Sequence, residues 1–160
     1  GNQADGDGCS SACRNEADPG GDGDPTGYTG CYELQPPVRH VCLSLLSGAV
    51  AVRIEATRLD FTRLVNELLV RRGLPIPGAV PAPANMTQRP PPDDGNFTVE
   101  GINDGACVER YRLTGRFTNP ERTRWTAQLS ICFNGLFCGF TVCNGCLRAI
   151  DLQGSEVACE

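Results

Sequence analysis

Cysteine is the residue type whose number and spacing carry the most chemistry in this chain. Cytosolic reductants keep thiols reduced, so an even set this dense among 160 residues predicts five disulfides formed in an oxidising compartment. We therefore expect a secreted, extracellular or cell-surface protein, although the sequence leaves the pairing open. The ten cysteines are Cys9, Cys13, Cys31, Cys42, Cys107, Cys132, Cys138, Cys143, Cys146 and Cys159.

The motif Cys143-Asn-Gly-Cys146 has the spacing of a redox pair or of half a zinc site. Redox chemistry of the thioredoxin type needs this motif at the start of a helix, whereas here it lies among turn residues. Zinc would need a second such pair or two histidines, and His40 is the one histidine of the chain. A structural disulfide role is favoured for both cysteines.

Three further residues, Cys132, Cys138 and His40, invite a chemical interpretation. Cys132 and Cys138 flank an Asn-Gly turn, and they would bridge a tight hairpin if their Cα atoms lie within about 7 Å. His40 has no serine or thiol nucleophile that the sequence places beside it, so a role as a general base is disfavoured. We expect no enzymatic activity and no cofactor.

Acidic loops are the remaining candidate for metal chemistry. Asp5 and Asp7, and likewise Asp22 and Asp24, stand two residues apart on glycine-rich backbone, an arrangement that Ca²⁺ uses. The twelve-residue calcium loop with its terminal glutamate is absent. The sequence therefore leaves two interpretations open, a Ca²⁺ site and a solvated acidic linker, and composition favours the linker.

Charge is unevenly distributed along the chain, and neither nucleic-acid binding nor a membrane span is expected. Residues 1–38 carry a net charge of −6, whereas residues 39–160 carry +1 and contain arginine but no lysine. No basic patch is interleaved with aromatic residues, so nucleic acid is not an expected partner. The uncharged run 131–147 contains four cysteines and two Asn-Gly pairs, which indicates hairpins rather than a membrane span.

Period-two alternation over residues 107–133 predicts a β-hairpin around the turn that starts at Asn119. One face carries the apolar residues, among them Tyr111, Leu113, Trp125 and Leu129. The other face carries an arginine row, which we expect either to be solvated or to bind the acidic head of a neighbouring copy. This row consists of Arg110, Arg112, Arg116 and Arg124.

The rest of the chain divides into an irregular head and a β-rich domain. Residues 1–30 are rich in Gly and Asp and form the predicted cysteine-containing head, and residues 31–160 form the predicted domain. Strand alternation recurs over 50–57. Over 60–72 the spacing of Leu64, Leu68 and Leu69 favours one short helix, with a strand return as the alternative. Residues 74–95 are rich in proline and predict a long loop or an edge covering. The predicted fold is an all-β, antiparallel, disulfide-stapled barrel or sandwich.

Two resemblances add to this prediction. Gly1-Asn-Gln-Ala-Asp-Gly-Asp-Gly-Cys-Ser-Ser-Ala-Cys13 resembles the end of a cysteine-rich repeat of myxobacterial secreted and surface proteins, without the Cys-Asp-Asp that opens the repeat. The remainder is similar to uncharacterised secreted β-rich domains of the same bacteria. The residues that carry the second resemblance are Asn85–Gln88, Phe97–Val99, Cys107–Thr118, Trp125 and Cys143–Cys146. Both resemblances imply a location and an architecture, and neither implies an activity.

The expected role is that of a non-enzymatic extracellular structural or adhesive module. Its expected partners are copies of itself, assembled into a surface layer or filament, or other surface proteins. The alternative is a secreted barrel that binds a small apolar ligand or a glycan.

Overall fold

A computed structural model describes residues 26–73, 85–105, 107–147 and 149–159 of the chain. Within these ranges the regular structure is β-strand, with a single 3₁₀ turn, Cys138–Phe140, and no α-helix. The predicted all-β class is confirmed. The strands are β1 Gly30–Leu43, β2 Val50–Arg63, β3 Leu68–Arg72, β4 Met86–Gln88, β5 Asn96–Asn103, β6 Val108–Phe117, β7 Arg124–Asn134, β8 Gly145–Cys146 and β9 Ile150–Val157.

The strands close on themselves and so decide between the two predicted architectures. Each of β1 to β7 pairs antiparallel with the next, β7 pairs with β9, and β9 pairs with β1. The result is an eight-stranded antiparallel barrel. The short strand β8 pairs with β7 beyond the end of β9. Closure removes the two free edge strands that an open sheet would expose to other chains.

The β6–β7 hairpin follows the predicted alternation. Its register runs from Phe117 opposite Trp125 to Val108 opposite Asn134. Tyr111, Leu113 and the apolar residues of β7 are buried inside the barrel. The side chains that alternate with them face outward because successive residues of a strand point to opposite faces.

The short helix predicted over 60–72 is wrong. β2 continues to Arg63, β3 begins at Leu68, and Leu64 and Val65 lie in the turn between them with exposed fractions of 42% and 93%. A helix would have aligned these leucines on one face. Strand pairing instead provides β3 with hydrogen-bonding partners on both sides, β2 and β4, and turns Leu68 and Val70 into the core.

The interior of the barrel is filled by side chains, with aromatic rings concentrated near the β6–β7 turn. The indole of Trp125 is stacked on Phe61 with a centroid distance of 5.7 Å and meets Phe97 edge-on at 5.9 Å. Gly154 faces this indole from β9, and a Cβ atom there would collide with the ring. The aromatic cluster consists of Tyr28, Tyr32, Phe61, Phe97, Phe117 and Trp125.

The barrel includes residues from two segments that the sequence predicted to lie outside it. Tyr28, placed in the head by the sequence, is fully buried, and its hydroxyl donates to the carbonyl of Asn96 over 3.0 Å. The three-residue strand β4 lies inside the predicted proline-rich loop. Residues 1–25 and 74–84 are outside the described residues. No helix of the described part is long and apolar enough to traverse a bilayer.

The barrel has two chemically different ends. The β6–β7 turn lies at one end beside the aromatic cluster. The other, which we name the cysteine end, gathers the β1–β2 turn at 44–49, the β5–β6 connection and the β7–β8 loop at 135–144. Three of the four disulfides found in the described residues lie there.

Candidate functional site

Eight of the ten cysteines form four disulfides in the described part of the chain, and Cys9 and Cys13 lie outside it. The Cα atoms of Cys42 and Cys143 are 5.5 Å apart, although 101 positions separate them in sequence. The two cysteines of the Cys143–Cys146 motif therefore have different partners. The pairs are Cys31–Cys159, Cys42–Cys143, Cys107–Cys138 and Cys132–Cys146.

The predicted hairpin bridge between Cys132 and Cys138 is wrong. Cys132 stands directly opposite Cys146 in the β7–β8 ladder and pairs with it. The chain does turn after Asn134, but it continues through the 3₁₀ segment, where Cys138 pairs with Cys107. The Asn-Gly pair thus opens a longer loop instead of closing a two-residue hairpin.

Two loops at the cysteine end are bound to each other by their backbones. The amide of Leu45 donates to the carbonyl of Phe140 over 2.7 Å, and the amide of Val142 donates to the carbonyl of Leu43 over 3.1 Å. An isolated β-bridge joins Ser44 to the β7–β8 loop between these two bonds. The β1–β2 turn and the β7–β8 loop therefore form one surface.

This joint surface exposes a group of large apolar side chains, which we name the apolar tip. Leu46 is 81% exposed and Phe137 is 64% exposed. Contiguous exposed apolar patches mark interaction surfaces, whereas single exposed apolar residues are ordinary. The apolar tip consists of Leu43, Leu45, Leu46, Leu136, Phe137, Phe140 and Val142.

The local sequence explains why these side chains stay outside. Residues 41–52 and 131–147 contain no charged residue. The hydroxyl of Ser44 accepts from the amides of Leu46 and Ser47, and Gly48 adopts a φ of 66°, which closes a tight turn. The backbone at the crest of such a turn directs its side chains away from the barrel, so they cannot reach the core.

His40 lies beneath the apolar tip, against a disulfide. Its Nε2 atom is 3.0 Å from Sγ of Cys143 and 3.3 Å from Sγ of Cys42. Its ring lies 6.0 Å from that of Phe133. Burial lowers the pKa of His40 below its usual value, because desolvation disfavours the charged imidazolium. The three donor atoms lie within 4.8 Å of one another, which is close enough to hold one metal ion.

A buried carboxylate, that of Glu109, lies on the inner face of β6. The hydroxyl of Tyr111 donates to Oε2 of Glu109 over 2.5 Å, and the side-chain amide Nδ2 of Asn103 donates to the same atom over 3.3 Å. Burial, and next the hydrogen bond to Glu109, raise the pKa of Tyr111 far above its usual value. This pair gives the inward-facing Glu109 its partners.

The arginine row lies on the outer face of the barrel, as its alternation predicts. Arg110, Arg112 and Arg116 are exposed along β6, and Arg124 is exposed at the start of β7. Nε of Arg112 is 3.3 Å from a carboxylate oxygen of Glu100 on β5. The expected partner of the row, the acidic head, lies outside the described residues. So do the candidate calcium ligands Asp5, Asp7, Asp22 and Asp24.

Two shallow grooves follow the outer face that carries the arginine row. One has a volume of about 590 Å³ and is lined by polar groups from β1, β5, β6, β7 and β9. The other, of about 690 Å³, lies nearer the cysteine end. The polar residues of the first groove are Gln35, Asn96, Thr114, Arg116, Thr126, Gln128, Asp151 and Gln153.

Sequence reasoning missed the apolar tip and the contact between His40 and the disulfide. The signal for the first was the pair of long uncharged runs, 41–52 and 131–147. The signal for the second was the spacing His40-Val41-Cys42, since residues two apart on a strand share a face. Comparison with protein-family models, with curated proteins and with solved structures finds no match for this chain.

Proposed function

We propose that this protein is a non-enzymatic extracellular module that assembles with copies of itself through the apolar tip. The observation that carries the proposal is the set of seven exposed apolar side chains of that tip. In water such a patch gains free energy when a second apolar surface covers it, at about 25 cal/mol for each Å² removed from solvent.

A second copy of the chain is the occupant that the charge distribution favours. The two loops that build the tip contain no charged residue, so two tips can meet without burying an unpaired charge. A symmetric dimer uses the same patch on both partners, so the patch must be complementary to itself. A neutral apolar patch meets this requirement, whereas a row of like charges does not.

The disulfides support an extracellular location and a mechanical role. Cross-links restrict the unfolded chain and stabilise a fold by about 2–4 kcal/mol each. Two of them anchor the loop that carries Phe137 and Phe140, through Cys138 and Cys143. The resemblance of residues 1–13 to a myxobacterial secreted repeat agrees with a bacterial cell surface as the place of action.

The packing of the barrel favours assembly over transport of an apolar ligand. Trp125 and Phe61 occupy the interior with the rings around them. An eight-stranded barrel has room for either its own side chains or one small ligand. The imidazole of His40 faces two sulfur atoms, which supports a role in bracing instead of catalysis.

The decisive experiment compares the sedimentation of three proteins. The native chain is expected to form dimers or larger species as its concentration rises. The double variant Leu46→Ser, Phe137→Ser is expected to remain monomeric, with its thermal unfolding temperature unchanged because both side chains are exposed. The control Val65→Ser removes a side chain that is 93% exposed away from the tip, and should assemble like the native chain.

Two results would refute assembly through the tip. One is a native chain that stays monomeric at every concentration, and the other is a double variant that assembles as the native chain does. A monomeric native chain that instead sediments with lipid vesicles, and loses this binding in the double variant, would assign the tip to a membrane surface.

A glycan is the second candidate partner, and the groove of about 590 Å³ favours it. Its lining includes three glutamine side chains, whose amides can both donate to and accept from sugar hydroxyls. A glycan array first identifies a glycan that the native chain binds. Gln153→Ala should lower the affinity for that glycan by about fivefold to tenfold, since one hydrogen bond of about 1 kcal/mol is lost. Thr57→Ala, on the exposed face of β2, is the control, and equal binding by both variants would exclude the groove.

A further inference from the structure

We infer that His40, Cys42 and Cys143 form a zinc site when the Cys42–Cys143 disulfide is reduced. The inference goes beyond the proposed assembly, and it rests on a different set of atoms. In the oxidised protein the two sulfur atoms are bonded to each other and face Nε2 of His40 at 3.3 and 3.0 Å. Reduction turns them into two thiols beside an imidazole nitrogen, and these thiols can bind a metal ion as thiolates.

Backbone contacts act beside the disulfide bond to hold the three ligands near one another. His40 and Cys42 stand two positions apart on β1, and the β1–β2 ladder pairs them with Ile54 and Val52. Cys143 is held by the backbone bonds between the two loops, Leu45 to Phe140 and Val142 to Leu43. Breaking the sulfur–sulfur bond therefore leaves the thiols close to each other and to the imidazole.

The donor set determines the class of metal. Two thiolates and one imidazole are ligands that Zn²⁺ uses in sites that keep a fourth position for water. Soft sulfur ligands disfavour Ca²⁺ and Mg²⁺, which bind oxygen. Cys42 and Cys143 are buried whereas His40 is partly exposed, so the imidazole side provides the approach from solvent.

The redox step is a thiol–disulfide exchange with a dithiol reductant. The dithiol supplies two electrons and two protons, its own sulfurs become a disulfide, and Cys42 and Cys143 become thiols. Binding of Zn²⁺ then releases the two thiol protons to solvent. The metal would replace the disulfide as the clamp between the two loops that build the apolar tip.

Cobalt is the spectroscopic probe for this site. The full chain is reduced under anaerobic conditions, freed of reductant and titrated with Co²⁺, followed by Zn²⁺. We expect thiolate-to-cobalt charge-transfer absorption that Zn²⁺ abolishes, and no such absorption from the oxidised protein. The double variant Cys42→Ser, Cys143→Ser should lose this absorption. The matched variant Cys132→Ser, Cys146→Ser, which removes a disulfide with no histidine contact, should retain it.

A histidine variant and a denaturant control separate this site from loose thiol binding. His40→Gln should weaken Zn²⁺, measured by competition with a coloured chelator, by at least about tenfold, because one of three protein ligands is lost. The inference is overturned if the Cys42→Ser, Cys143→Ser protein binds Co²⁺ as well as the native chain. It is also overturned if His40→Gln leaves the affinity unchanged, or if urea leaves the cobalt spectrum unaltered, since unfolded thiols would then be the ligands. Assembly through the apolar tip is measured on the oxidised protein, so the two proposals fail independently.

Discussion

Tyr28 and Tyr111 are phenols held inside the barrel in their neutral form. Burial raises the pKa of both side chains above the usual 10.0, and for Tyr111 the hydrogen bond to Glu109 adds to this effect. Through these two side chains the free energy of unfolding of the barrel depends on pH in the alkaline range. This dependence arises because the unfolded chain returns each phenol to its ordinary pKa.

The expected result is a loss of stability as the pH rises above about 10. There the unfolded chain releases phenol protons that the folded chain still binds, so the free energy of unfolding decreases until the folded-state pKa is reached. Urea unfolding at a series of alkaline pH values measures this loss. Tyr111→Phe removes one such phenol and should flatten the curve, and an unchanged slope in this variant would contradict the assignment.

Gly154 is the position where a single methyl group should disturb the aromatic cluster. A Cβ atom there meets the indole of Trp125, which is 1% exposed and has no space to move away. Gly154→Ala should therefore lower the free energy of unfolding by about 1–3 kcal/mol and change the fluorescence of the one tryptophan.

The matched control for this substitution is Gly139→Ala. A Cβ atom at Gly139 meets nothing within 4 Å, so the free energy of unfolding should change by less than about 0.5 kcal/mol. If both variants unfold at the same urea concentration, the close approach of β9 to Trp125 is not what limits this position to glycine.

At the scale of elements, the β7–β8 loop depends for its shape on tertiary contacts, which we call ties: disulfides and backbone hydrogen bonds to other parts of the chain. The segment Cys138–Phe140 makes only one turn of 3₁₀ helix, and such short segments are not stable alone. Two disulfides and two backbone hydrogen bonds attach the loop to the end of β1, to the β1–β2 turn and to Cys107, the residue before β6. The loop can display Phe137 and Phe140 because these ties offset the cost of ordering it.

Removal of one tie should make the loop a protease site. In the variant Cys107→Ala, Cys138→Ala, chymotrypsin is expected to cleave after Leu136, Phe137 or Phe140 faster than in the native chain, as mapped by mass spectrometry. The variant Cys31→Ala, Cys159→Ala opens a disulfide outside the cysteine end and serves as the control. Equal cleavage of the loop in both variants would show that general unfolding, and not the local tie, controls access.

At the scale of the whole molecule, self-association through the arginine row and self-association through the apolar tip differ in their dependence on salt. The arginine row would bind an acidic head through charge, and salt weakens such contacts as the screening length falls from about 10 Å at about 0.1 M to about 3 Å at about 1 M. The apolar tip buries no charged side chain of its loops. Contacts through the tip should therefore persist at high salt.

Sedimentation of the native chain at about 0.1 M and about 1 M sodium chloride tests which mode operates. We expect the same oligomers at both concentrations, and the same oligomers again in the triple variant Arg110→Gln, Arg112→Gln, Arg116→Gln. Dissociation at the higher salt concentration, together with monomers of the triple variant, would assign assembly to the arginine row.

Much of the barrel could be predicted because strand alternation is local. The backbone alone makes successive side chains of β6 and β7 point to opposite faces, so the buried Tyr111 and Trp125 and the exposed Arg112 followed from their order in the chain. The helix predicted near Leu64 does not form, because hydrogen bonding of β3 to β2 and β4 outweighs the helical spacing of these leucines. Local patterns rank alternatives, and tertiary pairing selects among them.

The candidate sites depended on contacts between distant parts of the chain. Composition alone predicted the disulfides that eight cysteines form in the described residues, and alternation alone placed the arginine row outside. Only closure of the barrel decided that Cys42 meets Cys143, that His40 faces both sulfur atoms and that the uncharged turns share one exposed tip. The reason is physical: a side chain's face follows from its immediate neighbours, whereas its partner follows from the register of strands about a hundred residues apart.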